Sequence, residues 1–409
     1  SSRYACSPVP SEYQPGTIHH GPDVVAQIES ELQRRGHSRA LIVTDANMAD
    51  VPVVMDPIRE GTGDALVGVF DGVTPEKYLR DAHAGATRVR EADIDALIAV
   101  GGGSSLDIAK QISVLAGHDQ PLDEVTDEIL DREEMIVPED GSLTDIFAVP
   151  TTLPGAELSQ VAGITLSMEP AEKSLSEMPS VGVSDSRLMP AAIFHDLDLF
   201  ATTPESILAR SAMNGFDKGV EMLYTRHHNP ITDGTAVRGV RLLHEGLPAI
   251  TADSTSEDDL SQIVQGIAAA QYGLSTPRAY RASVIHSFGH AISRNYPVQQ
   301  GVAHAIAAPH VLRYLFEQID GRRELLAEAF DVRDEATTPS ETADAVVDAV
   351  ADTRDALELP SRLRSVEGAK QSHFPELAAA VIEDPFMEAG PRELEATQSD
   401  IEAVFEQMW

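Results

Sequence analysis

The chain has 409 residues, enough for two domains with separate cores, and its 42% hydrophobic content excludes a disordered chain. A formal charge of −36 argues against nucleic acid and anionic membranes as partners, and no apolar run is long enough for a membrane span. The opening SSRYACSPVP lacks a charged and then apolar leader, and the single cysteine, Cys6, cannot pair within the chain, so a cytoplasmic protein is expected.

In chain order, ALIVTD (40–45), ALIAVGGG (96–103) and IFAVPTT (146–152) are strand-like runs separated by helical stretches such as EKYLRDAHAGATRVREADI. Strands alternating with helices predict a parallel α/β domain over 1–200. ITLSM and SVGV, between 160 and 195, read as short strands. After FHDLDLFATTP (194–204) helical periodicity takes over, which predicts an all-helical domain over 201–409. The acidic stretch 331–356 keeps Ala and Val at helical spacing and reads as a solvated amphipathic helix. The pairs His19-His20 and His227-His228 read as solvated loop residues, and His310 as a packing or hydrogen-bonding residue.

Gly101-Gly102-Gly103-Ser104-Ser105-Leu106-Asp107 follows a strand and opens a helix. Glycines let a backbone approach a pyrophosphate, and the free N–H groups of a new helix face the anion. The motif is not GxGxxG, so the ordinary Rossmann fingerprint is absent. Asp45 ends the first strand, where a carboxylate would bond ribose hydroxyls and repel a 2′-phosphate, favouring NAD over NADP; a helix cap is the plain alternative. Thr151 and Thr152 offer hydroxyls after a strand and a proline.

Lysine is scarce: Lys77, Lys110, Lys173, Lys218 and Lys370 are five of the 30 basic residues, against 66 acidic ones. Excess carboxylate with little lysine suits a salt-rich cytoplasm, where self-repulsion is screened, so a halophilic source is expected. A lysine retained in such a chain is expected to have a task.

Together ALIVTD, GGGSSLDIAK, VPTTLPGAELS, FHDLDL, HSFGH, GVAHAIAAPHVLRY and the C-terminal GPRELEATQSDIEAVFEQMW resemble the iron-containing (group III) alcohol dehydrogenase family over nearly the whole chain. The resemblance implies the dehydroquinate synthase-like architecture: an α/β dinucleotide-binding domain and an all-helical catalytic domain. It also implies NAD(P)-dependent chemistry on a small alcohol or carbonyl, and a homodimer. By position it assigns Gly102, Gly103, Ser104, Asp107, Thr151, Thr152, Gln160 and Lys173 to the cofactor, with Asp45 at the NAD-selecting place.

Relatives hold one divalent metal through an Asp and a His four residues apart, then two later His. Counting without gaps from Asp196 through Pro204 puts Asn214, Lys218, His286 and Gln300 at those four places. Neutral amides are poor ligands for a transition metal and an ammonium repels it, so in this register metal is expected to be absent. Lys218 would then supply the positive charge that a metal gives a carbonyl oxygen, with Asn214, His286 and His290 placing substrate or moving the proton. A register shifted by three offers Asp217, Glu221, His286 and His304 as a carboxylate-rich metal set instead. The plain alternative for Lys218 is pairing with Asp217 or Glu221 on a wet helix face. MNGFDKGVEMLY also resembles maleylacetate reductases. The expected activity is reduction of a small aldehyde, ketone or oxo-acid by NADH. A metal-dependent dehydrogenase and a catalytically inactive nucleotide-binding protein remain open.

Overall fold

The computed structural model describes residues 13–118, 120–132, 134–139, 143–166, 180–252, 254–276, 279–333 and 338–409. They form two compact units, one ending at Thr203 and the other starting at Pro204.

The first unit runs β1 (Thr17–Gly21), α1 (Ile28–Arg35), β2 (Ala40–Asp45), α2 (Ala46–Ala49), α3 (Pro52–Thr62), β3 (Leu66–Val73), α4 (Leu79–Glu91), β4 (Ala96–Gly101), α5 (Gly103–Ala116) and α6 (Leu122–Arg132). It continues through β5 (Asp145–Pro150), β6 (Val161–Thr165), β7 (Ser180–Ser184), β8 (Ala192–Asp196) and α7 (Leu197–Ala201). Six strands make one parallel sheet in the order β1-β8-β5-β4-β2-β3, while β6 and β7 form an antiparallel pair. β2 and β4 are buried along nearly their whole length, which is why they read as unbroken apolar runs. One face packs on α1 and α3: Ile28, Leu32, Val54, Met55 and Ile58 share a core with Ile42, Ile98, Phe147 and Phe194.

The connection leaving β2 leads to β3 on one side, whereas that leaving β4 leads to β5 on the other. The carboxyl ends of β2 and β4 therefore flank a topological switch point, the place where parallel α/β sheets bind ligands. Asp45 ends one strand and the Gly101–Gly103 turn ends the other.

Lys110, inside α5, is fully buried, and its ammonium donates to the carbonyls of Ala156 (2.8 Å), Ser159 (2.6 Å) and Val161 (3.1 Å). It pins the segment after β5 against the helix that opens at the glycine turn. Strand β8 ends in Asp196, whose carboxylate caps α7 through the N–H groups of Asp198 and Leu199 and also accepts from Val25. That double use explains the FHDLDL string at the end of the sheet.

The second unit comprises α8 (Glu205–Tyr224), α9 (Pro230–Gly246), α10 (Glu257–Ala270), α11 (Val284–Asn295), α12 (Gln300–Gln318), α13 (Arg323–Phe330), α14 (Pro339–Ala356), α15 (Phe374–Glu383) and α16 (Gln398–Met408). Capping boxes start four of them, at Asn229, Ser256, Thr338 and Thr397. Among the described residues the unit departs from the all-helical expectation in a two-residue ladder, Ser275–Thr276 with Ala279–Tyr280. α12 is buried on most of its surface and lies close to both α8 and α11. A Cβ on Gly301 would fall 1.8 Å from the Arg210 carbonyl oxygen, and one on Gly289 would fall 2.2 Å from His304 Nε2. Both approaches require glycine, and they bring the polar residues of α8, α11 and α12 within reach of one another.

Replacing Lys110 by methionine should keep the volume but strand three buried carbonyls. A loss of about 3 kcal/mol in urea unfolding is expected, and an unchanged midpoint would show that the ammonium is not the clamp.

Candidate active site

At the switch point, Gly101 takes φ +123°, Gly102 caps α5 and the helix begins at Gly103. The N–H groups of Ser105 and Leu106 are taken by the Gly102 carbonyl, whereas those of Gly103 and Ser104 have no acceptor among the described residues. Thr151 N–H donates to the Gly101 carbonyl (3.0 Å), and a Cβ on Gly102 would lie 3.2 Å from Thr152 Oγ1. The bare turn, two free N–H groups and the threonine hydroxyl form a lip suited to a diphosphate. Asp45 caps α2 through Oδ1, which accepts from Met48 N–H (3.0 Å), so the plain reading of this residue is realised. Asp107 accepts from Lys77 Nζ (2.9 Å). Gln160 directly precedes β6, and its Nε2 donates to Ser184 Oγ at 3.5 Å. Lys173 lies outside the described residues.

In the helical unit, α8 carries Asn214, Lys218 and Glu221, α11 carries His286 and His290, and α12 carries Gln300 and His304. Asn214 Nδ2 donates to Gln300 Oε1 at 3.4 Å. Lys218 is only 8% exposed, which removes the wet helix face as an account of it. Glu221 Oε2 lies 2.5 Å from His286 Nδ1, and Oε1 accepts from His286 N–H (3.2 Å) and Tyr224 hydroxyl (3.1 Å). The N–H groups of Ser283 and Ile285 also reach this carboxylate. Ser283, the capping residue of α11, gives no side-chain bond to the helix start, so Glu221 of α8 caps that helix from outside. The His286 and His304 rings are 4.2 Å apart, and His304 Nδ1 is 3.6 Å from Asp217 Oδ2. His290 Nδ1 meets Asp384 Oδ2 at 2.9 Å.

Burial sets the charges of this cluster. It raises Glu221 to about 7 against the pull of its N–H donors, and it raises Asp217 well above the carboxylate range, helped by Glu221. Burial, then the Lys218 charge, holds His286 well below its usual value; burial, then His286, does the same to His304. His286 is therefore neutral. With Nδ1–H given to Glu221, it is left with a buried Nε2 lone pair that has no hydrogen-bond partner.

The first unit matches the family model for iron-containing alcohol dehydrogenase over residues 15–196, and the second matches the C-terminal model of the Fe-containing alcohol dehydrogenase family over 208–409. The chain belongs to the iron-containing alcohol dehydrogenase family. It is 26% identical to lactaldehyde reductase of Escherichia coli (strain K12) over 96% of this chain and 98% of that protein. It is 21% identical to maleylacetate reductase 1 of Rhodococcus opacus over 97% of this chain and 94% of that one. Sulfoacetaldehyde reductase from Bifidobacterium kashiwanohense, solved in complex with NAD+, shares the fold at a TM-score of 0.83 and 19% identity, over 98% of this chain and 99% of that one. The protein is an alcohol dehydrogenase-like oxidoreductase with the two-part architecture of the family.

The family metal does not suit the side chains present. Asn214, Lys218, His286 and Gln300 gather on facing turns, yet they offer two amides, one ammonium and a single imidazole. The shifted set is no better. Glu221 is committed to the N-terminus of α11 and to His286 Nδ1, and His304 Nε2 faces the backbone at Gly289. Among the described residues no three His, Cys, Asp or Glu converge on a point where an ion could sit.

The histidine pairs also differ from expectation. His19 and His20 lie on β1, with His19 stacked on Phe194 at 4.7 Å, and His227 and His228 are half-buried rather than solvated. Burial, then Arg362, brings His310 down to about 4, in keeping with a packed residue. Asp384, the partner of His290, carried no signal beyond a lone acid before a proline.

Because the folded Glu221 titrates near 7 and the unfolded one near 4.5, its contribution to stability is full below pH 4.5 and lost as pH rises through 7. Glu221→Gln should lack that fall, so the stability difference between the two proteins should change by roughly 3 kcal/mol across the window. Urea unfolding over a pH series measures it, and parallel profiles would remove Glu221 as the titrating group.

Proposed function

We propose that the protein reduces a small aldehyde, ketone or oxo-acid with NADH, and that Lys218 does for the carbonyl oxygen what a metal does in relatives. The observation that carries this reading is the burial of Lys218, whose charge depresses the neighbouring imidazole; the ungapped count puts it where relatives keep a metal ligand. The glycine turn and the N–H groups of Gly103 and Ser104 would hold the cofactor diphosphate, with Ser104, Asp107, Thr151, Thr152, Gln160 and Lys173 as further contacts. Asp45 would favour NAD by repelling a 2′-phosphate. When bound, the nicotinamide supplies a hydride to the carbonyl carbon.

The side chains of the helical unit do the rest. Lys218 donates a hydrogen bond to the carbonyl oxygen and stabilises the negative charge that grows there, then gives it a proton. Asn214, one helical turn away, donates an amide hydrogen bond to the substrate. His286, held by Glu221, accepts a hydrogen bond at Nε2. His290, half-exposed and fixed by Asp384, returns a proton from solvent to the lysine. The balance is one carbonyl, one NADH and one proton giving one alcohol and NAD+.

Lys218→Met should lower kcat by about 10²–10³-fold, the usual cost of one charge-stabilising donor, while NADH affinity stays within twofold. Unchanged turnover would take lysine out of the reaction. Activity should also survive exhaustive chelation, measured in molar salt given the acidic surface. Stoichiometric zinc or iron, with activity lost on stripping, would favour a metal enzyme.

The departure from the family's ligand set also fits a second reading, a nucleotide-binding protein without catalysis. A screen of aldehydes and oxo-acids separates the two, since such a protein binds NADH and oxidises none of it.

A further inference from the structure

The stretch Asp384–Gly390 is fastened at both ends. At its start the Asp384 carboxylate accepts from His290 Nδ1 (2.9 Å), Phe386 N–H (2.9 Å) and Ser287 Oγ (3.4 Å), which ties it to α11. At its end the Ala389 carbonyl accepts from Thr225 Oγ1 (2.7 Å) and Arg226 N–H (3.2 Å), and Gly390 O accepts from Arg226 Nε (2.8 Å), which ties it to the residues after α8. Between these ties sits Phe386. Its ring centroid is 4.9 Å from His290, 6.1 Å from His286 and 5.1 Å from Tyr280.

Phe386 is half-buried, so it is not a core residue held there by packing alone. The ties hold the backbone on both sides of this ring. It presents an apolar face beside the two imidazoles, one of which has a buried, unpartnered Nε2. Tyr280 extends the same wall from the ladder preceding α11.

We propose that Phe386, backed by Tyr280, sets the size limit of the carbonyl substrate and restricts it to short, unbranched chains. The proposal rests on the reductase reading and adds the substrate class to it. An apolar wall discriminates by volume, and one methylene of misfit is worth 10–200-fold in kcat/KM. Replacing the ring by a methyl group should therefore open space for a phenyl-sized substituent.

The test compares kcat/KM for propanal and benzaldehyde in the wild type, Phe386→Ala and Phe386→Leu. The benzaldehyde-to-propanal ratio should rise at least tenfold in Phe386→Ala and by an intermediate factor in Phe386→Leu, with the dissociation constant for NADH unchanged. A ratio within twofold of wild type in whichever variant folds overturns the proposal, as does an equal fall on both substrates. If the wild type reduces no carbonyl at all, the reductase reading fails and the size limit goes with it.

Discussion

The interaction on which the candidate site depends is the Glu221 carboxylate at the N-terminus of α11. A helix start leaves N–H groups that must be satisfied, and here a carboxylate from α8 takes those of Ser283, Ile285 and His286. The same group receives the His286 Nδ1–H and the Tyr224 hydroxyl. One residue thus joins α8 to α11, sets the tautomer of His286 and determines which ring nitrogen remains available. An interior carboxylate is costly, and its pKa rises to about 7 for that reason. Its donors repay part of the cost by fixing the helix on which both site histidines ride.

A buried lysine is useful as an electrophile only if its charge is not cancelled. Asp217 is its immediate chain neighbour, and burial, helped by Glu221, raises the pKa of that acid well above its ordinary value, which weakens its charge. The charge of Glu221, once ionised, is spread over several N–H and O–H donors. The imidazoles of His286 and His304 are neutral and add no competing positive charge. Amide, ammonium and neutral imidazole groups are poor partners for an inorganic ion, which needs several anionic or imidazole donors aimed at one point.

Much of this arrangement was legible in the residues, because it is local. β2 and β4 announce themselves as apolar runs, the glycine turn follows directly, and the ungapped count from Asp196 arrives at side chains on facing turns of three helices. What escaped is non-local. Asp384 acts on His290 across 94 positions, and Glu221 and His286, 65 apart, read in the sequence only as candidate metal ligands and not as a helix cap. No periodicity encodes such pairs. His19 and His20 were misread because polar residues on a short edge strand look like a loop, until the register with β8 sets His19 on Phe194.

The scarcity of lysine becomes intelligible from these contacts. At Lys110 a compact ammonium meets three carbonyls that surround one point, a geometry that a flat guanidinium fork cannot satisfy. Lys77, in a left-handed turn at φ +56°, ends on Asp107, one turn into the helix that begins at the glycine motif. In the proposed reaction Lys218 gives up a proton, which arginine with its higher pKa surrenders far less readily. Lys77 thus bears on the helix of the glycine turn, Lys110 holds the segment after β5 against that helix, and Lys218 is the residue proposed as electrophile.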